Sequence, residues 1–538
     1  MPIPCNMKGY RYFLAFILSL GFSLPSCQES EPTRIAWDYS SQTDISPKGG
    51  YARVIPLPDG AYMAAYESAG AVHVCRSMDE GRTWTDSRTV IDGYWKDGVR
   101  VNAASAEIIR LSDGTLLCGA NFRPSRDEVE SWSIAVARSQ DAGRTWSGPQ
   151  IIYEAGQRFC DGCWEPYFLE MPDSKVHVYF ANEGPYGDSS EQEISCMESS
   201  DGGRTWDALR TVSFRKGHRD GMPSARIFGD EIVVAIEDNA HGEFVPYTVR
   251  CSMKGAWKRA VDGDSQERDY ALADSLHKDR IYAGAPYLLR LPSGEAAVSY
   301  QRSYAGQWNK ALMEVAVGDI HARNFRNPTR PFVVPDTYTC LWNSITVLDD
   351  HTIAAVGSLS YPKYRPVFKK GYLMYDLKLQ KGEVASMPFF VGAEGQANMR
   401  AGISYDSGTI HMRVKVNDAS AADGDGVFVY LDASGRAVPS ERSMRLRIGR
   451  DGEFGLFRWC GGGWQAASSA GLSVDVDGDD AAYTADIRMG RSLAGRIGLK
   501  GLRLGFSLCA YDGDGKGYRE DMVHMDPDDP STWIRLER

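Results

Sequence analysis

Stretches rich in lysine and arginine are missing from this sequence. Over 538 residues, 60 Lys and Arg are outnumbered by 71 Asp and Glu, so the formal net charge is −11. A protein that binds nucleic acid usually carries a basic patch, with aromatic side chains among the basic ones where it binds single strands. We therefore expect no nucleic-acid partner.

Cysteine is also scarce and scattered. Of the 11 cysteines, two lie near the N-terminus, and the others follow no regular spacing. Such a set does not predict a disulfide framework in a chain of this length. Cys160 and Cys163 have the spacing of a metal or redox motif, but no second pair and no histidine cluster accompanies them. The sequence thus predicts no zinc or other metal site in this region.

The apolar run near the N-terminus is too short to span a membrane. Lys8 and Arg11 precede the run 13–22, and small residues follow it. A basic start, a short apolar core and small residues after it are typical of a secretory signal peptide.

The segment Leu24-Pro25-Ser26-Cys27 resembles a bacterial lipobox. The resemblance implies that residues 1–27 are a lipoprotein signal peptide, that Cys27 is lipidated, and that residues 28–33 form a tether. It also implies an exported lipoprotein of the outer membrane, exposed at the cell surface or facing the periplasm, which touches the membrane only through its anchor. The alternative is a plain cleaved signal peptide with an incidental cysteine.

The pattern Ser-x-Asp-x-Gly-x-x-Trp occurs three times, at 77–84, 139–146 and 199–206. The Asp can accept hydrogen bonds from nearby backbone amides, the Gly permits a left-handed turn, and the Trp offers a large apolar surface. Each copy therefore predicts a hairpin turn. The pattern resembles the Asp-box of sialidase-like β-propellers, which implies a structural turn far from the chemistry. A decayed fourth copy at 252–257 keeps only the Ser and the Trp.

A longer repeat emerges when the turns that follow an apolar residue are aligned. Six such turns begin at Leu57, Leu111, Met171, Ile227, Leu291 and Val347. Their separations are 54, 60, 56, 64 and 56 residues, and each turn joins two short apolar or alternating runs. A period in this range, built of short strands and tight turns, is typical of propeller blades. We predict an all-β protein in which residues 34–384 form a six-bladed β-propeller, with a strand at 34–39 completing the last blade.

A second domain is predicted at 385–538, where the composition changes. Short alternating runs are separated there by turns rich in Asp and Gly. The predicted strands are 402–405, 410–416, 426–431, 444–448 and 454–459. This pattern indicates an antiparallel β-sandwich.

The acidic turns of this domain, at Asp418, 423–432 and 510–514, resemble those of family 9 carbohydrate-binding modules. The resemblance implies glycan binding. Three tryptophans are candidates for stacking on sugars, with core positions as the alternative for at least two of them: Trp459, Trp464 and Trp533. The acidic turns could hold calcium, but solvated turns are the alternative because no complete ligand loop is visible. No other cofactor is expected.

The topology of a propeller predicts where a site would lie. In each blade the start of the first strand and the end of the second meet at the same rim of the central funnel. Acids, arginines, amides and aromatic residues at those positions are what a glycoside site needs. The candidates for substrate binding are Arg53, Asn102, Arg123, Trp164, Arg219, Tyr287, Arg302 and Asn343.

Two glutamates stand out among the rim positions. Glu165 lies at the start of a blade 3 strand, and Glu237 ends an apolar strand of blade 4. Carboxyl groups about 5 to 5.5 Å apart suit a retaining glycosidase, and a gap of about 6.5 to 9.5 Å suits an inverting one. The alternative for each is a surface carboxylate at a strand end. Glu67 and Glu183 occupy comparable positions, and we interpret both as surface carboxylates at strand ends.

The segments 51–60, 164–166, 236–237 and 315–319 together resemble family 93 glycoside hydrolases, which are six-bladed exo-α-1,5-L-arabinanases. The resemblance spans about residues 40–380. It implies a retaining mechanism with two Glu and release of arabinobiose from the non-reducing end of linear arabinan, a polysaccharide.

On that resemblance Glu165 and Glu237 are the catalytic pair, and Tyr338 is an assisting hydroxyl. Because Glu237 ends an apolar strand, we assign it as the acid/base with a raised pKa and Glu165 as the nucleophile, with the reverse order left open.

Two other functions remain open at this stage. An exo-α-sialidase needs three arginines that bind the substrate carboxylate, and an Asp that acts as the acid shortly after the first arginine. Arg53 could be the first arginine, but the segment 64–68 lacks that Asp. The other alternative is a non-catalytic, glycan-binding surface lipoprotein in which the propeller is only a scaffold.

Overall fold

The structure, a computed structural model, describes residues 33–538 apart from short gaps. The gaps are 274–280, 304–305, 333, 336, 351, 375–376, 379, 385–386, 388, 393–396, 419–421, 423, 435, 437, 480, 498–501, 512–517, 523–532 and 538. The predicted signal peptide and the lipidation site Cys27 lie outside the described residues. Within the described part, no helix has the length and apolar character needed to cross a membrane.

The first half of the propeller consists of three antiparallel sheets, which we call blades 1 to 3. The chain enters through β1 (Arg34–Asp44). Blade 1 contains β2 (Gly50–Pro56), β3 (Tyr62–Ser68), β4 (Ala71–Ser77) and β5 (Thr85–Asp92). Blade 2 contains β6 (Tyr94–Lys96), β7 (Val99–Arg110), β8 (Leu116–Pro124), β9 (Ser133–Ser139) and β10 (Gln150–Glu154). Blade 3 contains β11 (Cys163–Glu170), β12 (Val176–Asn182), β13 (Glu193–Ser199) and β14 (Arg210–Ser213).

The second half of the propeller repeats the same plan in blades 4 to 6. Blade 4 contains β15 (Asp220–Phe228), β16 (Glu231–His241), β17 (Glu243–Ser252) and β18 (Arg268–Tyr270). Blade 5 contains β19 (Tyr282–Arg290), β20 (Ala296–Ser303), β21 (Leu312–Val317) and β22 (Arg326–Thr329). Blade 6 contains β23 (Cys340–Val347), β24 (Thr352–Leu359), β25 (Arg365–Met374) and, as its outermost strand, β1.

The six blades form a closed ring. The innermost strands β2, β7, β11, β15, β19 and β23 contact one another in that order, and β23 contacts β2. Closure comes from β1, which pairs antiparallel with β25 and so joins the start of the propeller to its end. The prediction of six blades closed by the first strand is confirmed. The closing strand extends to Asp44, and the fifth strand of blade 2, β6, was not predicted.

The Asp-box turns lie at the end of the blades opposite the funnel. They connect the third strand to the fourth in blades 1 to 3. In the second box, Thr145 donates from its backbone amide (2.8 Å) and its hydroxyl (2.6 Å) to Asp141, and the amide of Gly143 donates to the hydroxyl of Ser139 (2.9 Å). The other two boxes repeat these bonds.

Each box packs against the preceding blade. A Cβ added to Gly81 would come within 2.3 Å of Phe368 in blade 6, and one at Gly143 within 2.4 Å of Met63 in blade 1. The decayed copy does the same, because the indole of Trp257 donates a 2.9 Å hydrogen bond to the hydroxyl of Tyr179 in blade 3. The boxes therefore join neighbouring blades and lie far from the funnel, as expected.

The C-terminal part is a sandwich of two sheets. The first sheet contains β26 (Leu377–Lys378), β31 (Gly426–Asp432), β32 (Ser443–Gly449), β33 (Phe454–Cys460), β34 (Gly463–Ala466), β37 (Arg503–Tyr511), β38 (Tyr518–Met522) and β39 (Ile534–Glu537). The second contains β27 (Gln380–Lys381), β28 (Phe389–Gly392), β29 (Asn398–Asp406), β30 (Thr409–Asn417), β35 (Leu472–Gly478) and β36 (Ala482–Met489). One short helix, α1 (Arg491–Ile497), packs against β30.

The sandwich has its own apolar core and contacts blade 6. Alternating residues of its strands, such as Val427, Val429 and Leu431 on β31, form a cluster separate from the propeller cores. Strand β28 contacts β1, and Arg400 donates a 2.8 Å charged hydrogen bond to Asp38 of β1. The all-β fold of a six-bladed propeller followed by a sandwich is confirmed. Pairing in the sandwich begins at Leu377, before the boundary expected at 385.

Candidate active site

The funnel floor is built from a bulge that recurs in all six blades. The pairing between the first and second strands shifts at the same place in every blade. One non-glycine residue in each bulge has a left-handed φ of 47 to 53°, and these residues are Tyr51, Ser105, Glu165, Met222, Ala285 and Trp342. Such a bulge bends the strand and re-aims a side chain. Because all six blades share this backbone, the unusual φ of Glu165 belongs to the fold, and only the side chain is particular to blade 3.

A second repeated feature links the blades around the funnel. The second-strand residue that pairs with the residue before the bulge accepts a hydrogen bond from the bulge amide of the next blade at four of the six junctions. Glu237 holds this position four residues before β16 ends at His241, so the expectation that it ends its strand was wrong. Glu67 accepts from the amide of Ser105 (2.7 Å), and Glu237 accepts from that of Ala285 (2.7 Å). Gln301 accepts from the amide of Trp342 (2.9 Å), and Ser358 accepts from that of Tyr51 (2.9 Å). Glu237 therefore occupies a position that other blades fill with Glu, Gln or Ser for a structural purpose.

The carboxylate of Glu237 lies between two glycines. A Cβ at Gly221 would come within 2.9 Å of Glu237 Oε1, and one at Gly284 within 2.5 Å of Oε2. The hydroxyl of Tyr282 would also lie 2.5 Å from a Cβ at Gly284, so this phenol borders the same space. Burial raises the pKa of Glu237 to about 7, although the amide of Ala285 and the charge of Arg219 oppose the shift.

Glu165 projects from β11 and is 17% exposed. The guanidinium of Arg123 lies 3.9 Å from its Oε1 and also 5.1 Å above the ring of Trp164. Burial raises the pKa of Glu165 to about 8. The negative charges of Glu237 and Glu183 add to the shift, and the charges of Arg123 and Arg219 oppose it.

The two carboxyl groups are electrostatically coupled. The charge of Glu237 is one of the causes that raise the pKa of Glu165. Their strands belong to adjacent blades, and the innermost strands of these blades contact each other. A proton on Glu237 removes that charge and makes Glu165 easier to ionise. The pair can therefore hold one proton near neutral pH, which is the protonation state that acid/base and nucleophilic catalysis by two carboxyls requires.

Glu183 is buried and committed to Arg219. The guanidinium of Arg219 makes two hydrogen bonds to Glu183, of 2.8 and 3.0 Å, and a third of 2.6 Å to Gln192. The indole of Trp164 donates a 2.6 Å hydrogen bond to Glu183 as well. This pair holds Trp164 and Arg219 in place beside Glu165. Glu67 is likewise committed to the amide of Ser105. The interpretation as a surface carboxylate was wrong for Glu183, which is 2% exposed, and both glutamates make structural contacts.

A buried ion cluster lies directly behind Glu237. Asp220 and Asp238 pair across β15 and β16, next to the pair formed by Gly221 and Glu237. Arg268 bonds to both, at 2.6 Å to Asp220 and 2.8 Å to Asp238, and all three side chains are almost fully buried. Burial raises the pKa of Asp220 against the opposing charge of Arg268. The cluster holds the ends of the two strands that carry Gly221 and Glu237.

Two predicted binding residues lie beneath the funnel floor. Arg53 is buried, contacts Glu107 at 3.2 Å and lies over the rings of Tyr51 (4.2 Å) and Tyr287 (5.0 Å). The hydroxyl of Tyr287 donates to Glu107 at 3.3 Å. Their partners are thus other side chains of the protein. The mistake was to count Tyr287 as a strand start, whereas β19 begins at Tyr282.

Asn343 and Arg302 also make internal contacts. The buried amide of Asn343 donates to the carbonyl of Ala285 at 3.1 Å and accepts from Ser299, joining blades 5 and 6. Arg302 is buried beside Glu314, 3.5 Å away on the neighbouring strand. Their contacts support the blades.

The other four predicted binding residues line the funnel. Arg123, Trp164 and Arg219 surround Glu165 through the contacts described above. Asn102 lies nearer the rim, where its Oδ1 would be 2.3 Å from a Cβ at Gly70 of blade 1.

Tyr338 lies at the rim of blade 6. Its ring packs edge-on against Tyr361, with centroids 4.8 Å apart, and its amide donates to the carbonyl of Pro335. None of its hydrogen bonds or ring contacts within the described residues reaches Glu165 or Glu237. A role as assisting hydroxyl stays a prediction, and Tyr282 is the phenol that borders Glu237.

Three residues close to Glu237 were not among the predicted site residues. Tyr282 and Gln301 are joined by a 2.8 Å hydrogen bond beside Glu237, and Arg268 comes from the outermost strand of blade 4. Gln301 directly precedes Arg302, which was a candidate, and this was the available signal. Arg268 reaches the site across the blade, so no local pattern could reveal it.

The C-terminal candidates divide by exposure. Trp533 is fully buried against Phe428 and Tyr430, whereas Trp459 and Trp464 are half-buried and contact each other with centroids 5.3 Å apart. Within the described ranges, no group of three or more His, Cys, Asp or Glu could hold a metal ion. The turns at Asp423 and 512–514 lie outside those ranges, so calcium there stays a prediction.

The comparisons with known proteins agree with this architecture. The model of the BNR repeat-like domain family matches residues 115–219, which include the second and third Asp-boxes. No curated protein matches the chain.

Solved structures resemble each part of the chain at low identity. The α-L-arabinanase of Penicillium chrysogenum, solved with arabinobiose, is 19% identical over 63% of this chain and 98% of its own, with a TM-score of 0.45. The GH93 α-L-arabinofuranosidase of Fusarium graminearum, also solved with arabinobiose, is 17% identical over 60% of this chain and 93% of its own, with a TM-score of 0.44. A family 9 carbohydrate-binding module of Caldicellulosiruptor kristjanssonii, solved with cellotriose, is 15% identical over 30% of this chain and 92% of its own, with a TM-score of 0.24. These are likenesses of fold at low TM-scores, and the architecture described above rests on the structure itself.

Proposed function

We propose that the protein is a retaining, exo-acting glycoside hydrolase that releases arabinobiose from the non-reducing end of linear arabinan. The observation that carries the proposal is the pair Glu165 and Glu237. Both carboxyls lie in the funnel, their pKa values are raised to about 8 and about 7, and they are coupled to each other. Two carboxyls with a shared proton are the equipment of a glycosidase.

In the proposed reaction the ionised Glu165 attacks the anomeric carbon. Glu237 gives its proton to the glycosidic oxygen, which takes the electron pair of the breaking C–O bond and leaves. Glu237, now ionised, then takes a proton from water, and the water oxygen attacks the anomeric carbon and displaces the Glu165 carboxylate. Two displacements restore the original anomeric configuration.

Burial gives Glu165 the higher of the two pKa values, about 8 against about 7 for Glu237, so the resting pair keeps its proton on Glu165. The proposed order of roles therefore requires the proton to move to Glu237 when substrate binds, and the charges of Arg123 and Arg219 favour this by stabilising ionised Glu165. In Glu237, Oε2 is occupied by the amide of Ala285, so Oε1, the oxygen beside Gly221, is the one that takes the proton. The reverse order of roles stays open.

The arginines argue against a sialidase. Such an enzyme needs three arginines to hold the substrate carboxylate. In the funnel region Arg53 is paired with Glu107, Arg219 with Glu183 and Arg302 with Glu314. Each positive charge already has a carboxylate partner.

The substrate and the cellular location rest on sequence resemblance. Arabinan follows from the segments at 51–60, 164–166, 236–237 and 315–319, and export with lipidation follows from the lipobox at Cys27. We also propose that the sandwich binds glycan, with calcium in its acidic turns.

Hydrolysis by the purified protein tests the function. Linear arabinan, a sialyl glycoside and a panel of plant and host glycans are incubated with the protein, and the products are separated by chromatography. The proposal predicts arabinobiose, released with retained configuration. Release of sialic acid would establish a sialidase instead, and binding without hydrolysis would establish a glycan-binding lipoprotein.

A further inference from the structure

The two sides of the funnel differ in chemistry. Arg123, Glu165 and Arg219, from blades 2 to 4, form a side that we call the charged wall. Trp308, Trp342 and Tyr51, from blades 5, 6 and 1, form a side that we call the aromatic wall. Sugar hydroxyls suit the first and the C–H faces of sugars suit the second.

The aromatic wall descends from the rim to the axis. The ring centroids of Trp308 and Trp342 are 6.1 Å apart, and those of Trp342 and Tyr51 are 6.0 Å apart. Trp308 is 52% exposed, Trp342 is half-buried and Tyr51 is buried. The rings therefore form a continuous apolar slope that is open at the top.

Trp308 is held at the rim by local structure. It begins a short 3-10 turn (Trp308–Lys310) in the connection between β20 and β21, and this connection lies at the funnel end of blade 5. The amide of Lys310 donates to the carbonyl of Gln307, and the amide of Ala311 donates to the carbonyl of Trp308. Trp308 is not a single isolated ring at the surface, because Trp342 and Tyr51 continue its apolar surface into the funnel, and a continuous exposed apolar patch is what marks a binding surface.

The aromatic wall leads to the proposed acid. Tyr282, Leu341 and Ala311 form a small apolar cluster against which Trp342 packs. Tyr282 borders Glu237 at Gly284. The side chain of Gln301 accepts from the amide of Trp342 and donates to Tyr282, which couples the position of the ring to that of the phenol. A group resting on Trp342 next to Tyr282 thus faces Glu237, whereas the foot of the wall, at Tyr51, lies within electrostatic reach of Glu165.

We propose that the aromatic wall is the leaving-group subsite for a neutral carbohydrate chain. The sugar that departs places its C–H face on Trp308 and Trp342, and the sugar that is attacked lies against the charged wall. This inference rests on the proposed glycosidase function. It assigns Trp308 a binding role that favours chains over small leaving groups.

The test compares two substrates that differ only on the leaving side. One is an arabinobiosyl fluoride, whose leaving group is a single atom, and the other is an arabino-oligosaccharide with the same arabinobiosyl unit at its non-reducing end. Trp308→Ala should lower kcat/KM for the oligosaccharide about tenfold, mainly through KM, because one stacking contact is lost. It should change kcat/KM for the fluoride less than about twofold. Phe454→Ala, at an aromatic residue of the sandwich that is 37% exposed, is the matched control and should change neither.

Each outcome decides the inference. An equal loss with both substrates would place Trp308 on the attacked sugar, and no loss with either would remove it from the binding surface. Both results overturn the inference while leaving the glycosidase function intact. If the wild-type protein hydrolyses neither substrate, the proposed function fails and the subsite fails with it.

Discussion

The two ends of each blade differ in what repeats from one blade to the next. At the Asp-box end the residues repeat, and Asp79, Asp141 and Asp201 make the same bonds. At the funnel end the backbone repeats, since every blade has its bulge, but the side chains do not. The second-strand positions that pair with the residue before each bulge hold Glu67, Asn121, Ala181, Glu237, Gln301 and Ser358.

The difference separates positions that serve the fold from positions that are free to serve a ligand. A residue that recurs with its bonds serves the joint between blades. A residue that changes while its backbone stays the same is free to serve the ligand. Glu67, Glu165 and Glu237 are carboxylates in such variable positions, unlike the three repeated acids of the boxes, and burial raises the pKa of Glu165 and Glu237.

The largest effect is expected from removing either carboxylate of the pair. Glu165→Ala should lose about a thousandfold or more in activity because the covalent route disappears, and Glu237→Ala should lose a comparable amount with poor leaving groups. Azide should rescue both, giving a glycosyl azide of inverted configuration with Glu165→Ala and of retained configuration with Glu237→Ala. NMR of the product identifies the configuration, and the opposite result would exchange the two roles. Absence of any loss in the folded variants would contradict the pair.

A smaller effect is expected from pH. Raised carboxyl pKa values mean that protons persist to higher pH than the ordinary value near 4.5. The pair is singly protonated between about pH 7 and about pH 8, so kcat/KM should peak there. It should fall about tenfold per pH unit as the pair gains a second proton below this range or loses its last proton above it. A pH–rate profile with its maximum near pH 4 to 5 would show that the funnel does not raise these pKa values.

The smallest effect on activity is expected at the boxes. Gly143 has a φ of +82°, and a Cβ there would meet Met63, so Gly143→Ala should lower the free energy of unfolding by about 2 to 4 kcal/mol. Activity at low temperature should not change. Gly148→Ala, where no atom lies within 4 Å of the new Cβ, is the matched control. Denaturant unfolding of both variants measures the difference, and equal stability would show that the boxes do not join the blades.

The repeats in the sequence were enough to predict the number of blades and the positions of the Asp-box turns. Turn spacing gave the number of blades, and the three boxes gave the end of the blade opposite the site. The sequence also placed Glu165 and Glu237 at the funnel, since strand ends are visible as changes in hydrophobic pattern. The structure does not support substrate binding by Arg53 and Arg302, because both are buried and pair with Glu107 and Glu314 of neighbouring strands.

Contacts that cross a blade leave no local pattern. Arg268 lies 30 residues beyond Asp238 and is brought to it only by the fold. The bulge that aims Glu165 was equally invisible, because residues as different as Tyr51 and Ala285 adopt the same backbone.

The most direct test of the central claim compares Glu67→Gln with Glu237→Gln. Both glutamates lie on a second strand, paired with the residue before the bulge, and both accept a 2.7 Å hydrogen bond from the next bulge amide. Glutamine can accept that bond in either place. The two variants therefore keep the same structural contact and lose the same ionisable group. Glu237→Gln should lose about a hundredfold or more in arabinan hydrolysis, while Glu67→Gln should lose less than about threefold. Equal activity in the two folded variants would contradict the account, because Glu237 would then serve only to join its blade to the next.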